Sequence, residues 1–245
     1  MSEMYFSVDC ESDGPVPGLF SMLSIGITAL HPETLEEIGH FYRKLKPLPD
    51  ARADPDTMKW WTGFPEMYAE ATSDARDPLN VMRELEDWVN NMISGFGSDR
   101  ETRPKPIFVA YPVAFDFGHY NYYAWRFAGR SVFGFVGLDM GSLAMGHNGD
   151  LYDHQTKKKW LDAWVKPEDR VAIHHALLDA RQQADILRRQ LKTICPRFAN
   201  VKESSACSRC GGTGYDPDPQ TAEHEGACSQ CDGHGRMREN DVEFR

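Results

Sequence analysis

The stretch Tyr5-Phe6-Ser7-Val8-Asp9-Cys10-Glu11 constrains the fold more than any other part of the chain. It is an apolar, β-prone run that ends in two carboxylates one residue apart, and alternate side chains of a strand point to the same face. Asp9 and Glu11 therefore project together, while Cys10 turns the other way, into the core, as a small hydrophobe. Two like charges side by side repel, and a core strand that ends in them calls for a cation to offset the repulsion. A divalent metal is the natural candidate. The bland alternative is an exposed Asp-x-Glu that binds nothing, so the decision rests on what else the chain brings to the same place.

Further along, Met22–Leu30 reads as a second strand and residues 38–45 as a third, joined through a short turn at Pro32 and Glu33. Three consecutive strands of this kind form a meander at one side of a mixed sheet. Residues 47–56 are rich in Pro and Asp and read as a loop, after which Thr57-Met58-Lys59-Trp60-Trp61 opens a short helix. Adjacent tryptophans cannot both face the core, so one of Trp60 and Trp61 is a candidate for stacking on a base, unless both simply cover the sheet edge. From Asp77 to Ser94, Met82, Leu85, Trp88, Val89, Met92 and Ile93 recur at helical spacing, which is a packing stripe. Ile107-Phe108-Val109-Ala110-Tyr111 is a continuous apolar run suited to a buried strand. Asp116 follows where that strand hands over to a helix, at the carboxyl edge where open α/β sheets build their sites, although Asp is also common in first helical turns. A shorter strand and helix are expected within residues 131–145. The last helix of the main domain is to run to about Thr193, with Ala176, Leu177, Ala180, Ala184, Leu187 and Leu191 on its buried face. Asp179 lies inside it and His174 at its start.

Composition narrows the class. With 245 residues, 41% hydrophobic and 26% charged, there is room for one medium globular domain and a small appendix. No apolar run reaches the ~18 residues needed to span a bilayer and no export signal opens the chain, so no membrane role and a cytoplasmic location are expected. A net charge of −10 speaks against coating nucleic acid through broad electrostatics, but not against gripping a few nucleotides.

Four carboxylates, Asp9, Glu11, Asp116 and Asp179, thus arrive from three separate segments, with His174 five positions before the last. The pattern resembles the DEDDh class of 3′→5′ exonucleases over roughly residues 4–192. Asp9-x-Glu11 matches the first motif, Phe115-Asp116 the second, and His174-His175-Ala176-Leu177-Leu178-Asp179-Ala180 fits His-x-Ala-x-x-Asp-Ala throughout. The resemblance implies a ribonuclease H-like α/β fold, a mixed five-stranded sheet flanked by helices. It implies that Asp9, Glu11, Asp116 and Asp179 bind two Mg²⁺ or Mn²⁺ ions, hard cations that suit oxygen ligands, and that His174 is the general base. His175 is one residue too close to Asp179 and is expected to turn away. Ser12, Leu23 and Phe115, with Trp60 and Trp61, are the expected contacts to the 3′ end of single-stranded RNA or DNA. Where relatives often carry His-Asn before the second-motif Asp, this chain has Tyr111-Pro112-Val113-Ala114, which leaves the contacts there open. The Thr-Met-x-Trp-Trp stretch resembles exoribonuclease-like members from bacteria and phages, the ground for expecting RNA over DNA.

Beyond Thr193 the composition changes. Cys207-x-x-Cys210-x-Gly-x-Gly is repeated as Cys228-x-x-Cys231-x-Gly-x-Gly, a spacing suited to one four-cysteine zinc site. The doublet resembles half of the zinc region of DnaJ-type co-chaperones. The expected organisation is a nuclease domain over 1–195, a linker over 196–206 and a zinc module with tail over 207–245. Its role is open between nucleic acid, a protein partner and a simple cap, and oligomeric state is not legible. The competing reading is a non-catalytic nucleic-acid-binding or adaptor protein on the same scaffold.

Overall fold

A computed structural model describes residues 2–155, 159 and 174–200. The cysteine doublet, and the expected linker from residue 201 onward, lie outside the described residues. Five strands, β1 (Glu3–Ser12), β2 (Met22–Leu30), β3 (Glu37–Lys44), β4 (Lys105–Ala110) and β5 (Gly137–Asp139), form one sheet in the order β3-β2-β1-β4-β5. The first three strands run antiparallel as the expected meander, and β4 and β5 add in parallel, so the sheet is mixed.

The alternation of β1 divides its side chains between two cores. Met4, Phe6, Val8 and Cys10 face one side, with Ile25, Ile27 and Ala29 of β2. That face is covered by Val81, Met82, Leu85 and Val89 of helix α3 (Pro78–Ser94) and by Tyr120 and Tyr123 of α4 (Val113–Tyr123). Trp88 belongs to the same packing, its ring 5.8 Å from Phe6 and 5.7 Å from Phe41. Tyr5 faces the other side, with Leu30 and Val109, under the C-terminal helix α6 (Ala176–Ile194) and Met140 and Ala144 of α5 (Met140–Asn148). Between these lie α1 (Pro55–Trp61), capped by Asp54, and α2 (Pro65–Thr72). No helix among the described residues is long and apolar enough to cross a membrane.

Helix α6 differs from the simple stripe that its spacing suggests. All six expected apolar residues are buried, but so are Gln182, Gln183, Arg188 and Gln190. Polar side chains pack inside because the sheet face beneath is itself polar and small: Ser7, Asp9 and Glu11 of β1 stand opposite Thr28, Gly26 and Ser24 of β2. After α6, Pro196–Phe198 forms a 3-10 turn whose Phe198 packs into the core under the helix, in the first residues of the expected linker.

Candidate active site

The carboxyl edge of the sheet is where β1 outruns its neighbour. The last β1–β4 pair is Ser7 with Val109, so Asp9, Cys10 and Glu11 extend past the end of β4. Their backbone on that side has no ladder to join, and Asp116, in the first turn of α4, fills the gap: its Oδ1 accepts the Cys10 N–H at 2.9 Å. Asp116 is 2% exposed and thus set directly behind the strand that carries the other two acids. The β1–β2 register shifts between Glu11, opposite Ser24, and Ser12, opposite Met22, the kind of irregularity that re-aims a side chain.

On the opposite flank, α6 comes down onto β2 at Gly26, the partner of Asp9 in the sheet. A Cβ at position 26 would lie 2.2 Å from the Leu177 nitrogen and 2.3 Å from the Ala176 carbonyl carbon. Only glycine lets the helix backbone approach this closely. The consequence is that Asp179 reaches β1: one ligand oxygen from each of Asp9, Glu11 and Asp179 lies within 4.8 Å of the others. Glu11 and Asp179 are buried and Asp9 is half-buried. The Asp179 Oδ2 accepts the backbone N–H of His174 at 2.8 Å and of His175 at 3.2 Å. His174 has φ +66°, a left-handed conformation that directs its N–H to the carboxylate. At the other oxygen-rich flank, Gln183 Nε2 donates to Asp9 Oδ1 at 2.7 Å.

This set suits a hard divalent cation: three carboxylates, all oxygen donors, converging on one point with a fourth one backbone amide away. The concentration of negative charge shows in Cys10, whose thiol is pushed well above its ordinary value by burial and then by Asp116, Asp9 and Glu11. It stays a neutral, buried thiol on the core face, as its alternation requires.

The two histidines lie in different surroundings. His175 caps α6, its Nδ1 accepting the Leu178 N–H, and stacks on Tyr42 at 4.7 Å with Glu70 on its far side. Burial lowers its pKa, partly offset by Glu70. His174 instead sets its ring among aromatics, 4.5 Å from Trp60 and 4.4 Å from Phe64. The tryptophan pair is divided: Trp61 is 2% exposed and donates its Nε1–H to the Ser12 carbonyl at 3.0 Å, whereas Trp60 is 43% exposed. Of the other expected substrate contacts, Phe115 is partly exposed, while Ser12 and Leu23 are buried, the Ser12 hydroxyl donating to the Gly14 carbonyl.

Sequence reasoning overlooked Gly26, Phe64 and Gln183. Gln183 lies four residues after Asp179 and hence on the same helical face, which was a usable signal. Gly26 and Phe64 carry none without knowledge of what docks beside them.

Comparison with known proteins agrees with this geometry. The profile of the 3′-5′ exoribonuclease Rv2179c-like domain matches residues 4–191. The 3′-5′ DNA exonuclease Cap18 of Escherichia coli is 32% identical over 186 residues, 76% of this chain and 90% of that protein. Among solved structures, the nuclease domain of 3′hExo, a DEDDh family member bound to rAMP, superposes with a TM-score of 0.60 at 13% identity, covering 79% of this chain and 94% of that one. E. coli ExoI in complex with single-stranded DNA gives 0.52 at 17% identity, covering 82% of this chain and 42% of that one. At such identities the two structures speak for the fold alone, a mixed five-stranded sheet with helices on its faces. From the match over residues 4–191, the chain belongs to the 3′-5′ exoribonuclease Rv2179c-like domain family and is a 3′→5′ exonuclease.

Proposed function

We propose that the chain removes nucleoside 5′-monophosphates one at a time from the 3′ end of single-stranded nucleic acid, with RNA preferred over DNA. The observation that carries this reading is the convergence of Asp9, Glu11 and Asp179 within 4.8 Å, with Asp116 behind them. In this reading the four carboxylates hold two Mg²⁺ or Mn²⁺ ions. Bound there, such ions would lower the pKa of an attacking water and offset charge on the leaving oxygen. His174 takes the proton of the attacking water as its oxygen bonds to phosphorus. The bond from phosphorus to the 3′ oxygen of the penultimate nucleotide breaks, and that oxygen takes a proton from solvent to leave as the new 3′ hydroxyl. The backbone N–H of His174 donates to Asp179 Oδ2 at 2.8 Å, which supports this role. Trp60 and Phe115, with exposed ring surface, stack on the terminal bases, and Ser12 and Leu23 line the same end of β1 and β2.

The preference for RNA is supported by the family description, whereas the E. coli relative is described as a DNA exonuclease. Matched 3′-overhang RNA and DNA oligonucleotides with Mg²⁺ or Mn²⁺, resolved to single-nucleotide products, decide between them. Equal or faster DNA turnover removes the preference. No release of 5′-monophosphates from either, with or without EDTA, removes the catalytic reading in favour of a binding protein. Cys207, Cys210, Cys228 and Cys231 hold one Zn²⁺ in a module over 207–245 that follows the linker, and the enzyme works in the cytoplasm. The module engages nucleic acid or a protein partner. A zinc content that stays near one ion per chain in Cys207→Ser would remove the zinc assignment.

A further inference from the structure

We propose that Gln183 is a positioning residue of the metal site, its side-chain amide holding the Asp9 carboxylate in the orientation from which it takes a divalent ion. The inference rests on the metal-site reading above and goes beyond it, because none of the matched motifs includes this position.

Gln183 is 1% exposed and donates from Nε2 to Asp9 Oδ1 at 2.7 Å. Stability alone does not account for a glutamine here. Its Oε1 has no hydrogen-bond partner among the described residues, and a buried acceptor left unpaired is destabilising. Its helical neighbours Ala180, Ala184 and Leu187 are apolar and buried, so a leucine or methionine would sit in this layer without that penalty. What sets Gln183 apart from the other buried glutamines of this helix is its hydrogen bond to a metal-site carboxylate.

The chemistry of the amide fits the task. Asp9 faces Glu11 and Asp179, and repulsion among three carboxylates drives an unheld Asp9 away from them. A donor on Oδ1 opposes that rotation and leaves the remaining lone pairs for a cation. The donor is neutral, so it fixes the carboxylate without supplying the charge that the cation is to supply. A lysine in its place would compete with the ion. Position matters as well: four residues separate Gln183 from Asp179, so one face of one helix presents both a ligand and the donor that orients another ligand. Groups that hold metal ligands in this way typically govern affinity by about 10- to 100-fold.

The test is Mn²⁺ binding to the full-length, metal-stripped protein by calorimetry, together with the rise in melting temperature on adding Mn²⁺. Heat that survives in Asp179→Ala is subtracted as background. Gln183→Met, close in shape but without a donor, is expected to weaken Mn²⁺ binding about 10- to 100-fold and to shrink the Mn²⁺-induced melting shift. Gln190→Met is the matched control: Gln190 is fully buried on the same helix with neither side-chain atom partnered among the described residues, and its replacement should leave Mn²⁺ affinity unchanged. Gln183→Lys should abolish binding. If Gln183→Met does not fold, Gln183→Asn draws the amide back by one methylene and carries the same expectation. Wild-type affinity in Gln183→Met or Gln183→Asn overturns the inference while leaving the metal site standing. A wild-type protein that binds no Mn²⁺ overturns both.

Discussion

Gly26→Ala is the most direct test of how this site is assembled. The added Cβ would lie 2.2 Å from the Leu177 nitrogen, 2.3 Å from the Ala176 carbonyl carbon and 2.5 Å from its oxygen. All three are backbone atoms at the start of α6, so no side-chain rotation relieves the contact. To reach an ordinary 3.4 Å contact, the helix start must retreat by the difference from 2.2 Å, or about 1.2 Å if it moves straight away. Asp179 and Gln183 ride on this helix and meet Asp9 from it. A displacement of about 1 Å in a catalytic constellation typically costs on the order of 100-fold in rate. Overpacking of this kind costs roughly 1–3 kcal/mol in stability, or about 2–12 °C in melting temperature for a domain of this size. Release of 5′-monophosphates from a labelled oligonucleotide, measured with a thermal melt of the same preparation, reads both effects. Gly146→Ala serves as the control, since its Cβ would meet nothing within 4 Å. A Gly26→Ala enzyme with wild-type turnover would refute the argument that glycine at this position sets the helix against the sheet.

Other expectations follow from the same geometry. Asp9→Ala and Asp179→Ala should abolish metal-dependent hydrolysis with the fold retained by circular dichroism, and His174→Ala should slow it by about 100-fold or more. Trp60→Ala should raise KM for oligonucleotides roughly 5- to 150-fold, the equivalent of about 1–3 kcal/mol of stacking, with little change in melting. Trp61→Ala, at a buried position bonded to Ser12, should instead lose roughly 3–5 kcal/mol of stability; the opposite division would refute the roles assigned to the pair. Arg181 donates to the partly buried Glu37 at 2.9 Å, and Arg181→Ala should cost on the order of 1–3 kcal/mol at pH 7 because it leaves that charge with His40 alone among its described ion-pair partners. Burial raises the Glu37 pKa, but Arg181 and His40 outweigh it and hold it below 4.5. Its contribution is therefore complete above that pH and lost as the pH falls through the folded value. Urea unfolding at pH 7 and pH 4 should show the deficit of Arg181→Ala narrowing on acidification, and a constant deficit would sink the electrostatic account.

What the sequence determined by itself was local and periodic. Strand alternation put Asp9 and Glu11 on one face and Cys10 on the other, and helical spacing gave the core stripes of α3 and α6, because both periods are fixed by backbone geometry. The motif that the chain resembles marked His174 rather than His175, which stacks on Tyr42. What the tertiary structure alone decided was long-range. Gly26 appears in the sequence as one more small residue in a strand, and its meaning comes from a helix 150 residues later that lands on it. The division between Trp60 and Trp61 depended on which of them met Ser12, and the role of Gln183 on which sheet residue lay beneath it. Close packing and buried hydrogen bonds join residues that the chain order keeps apart, so their partners exist only once the sheet and α6 are in contact.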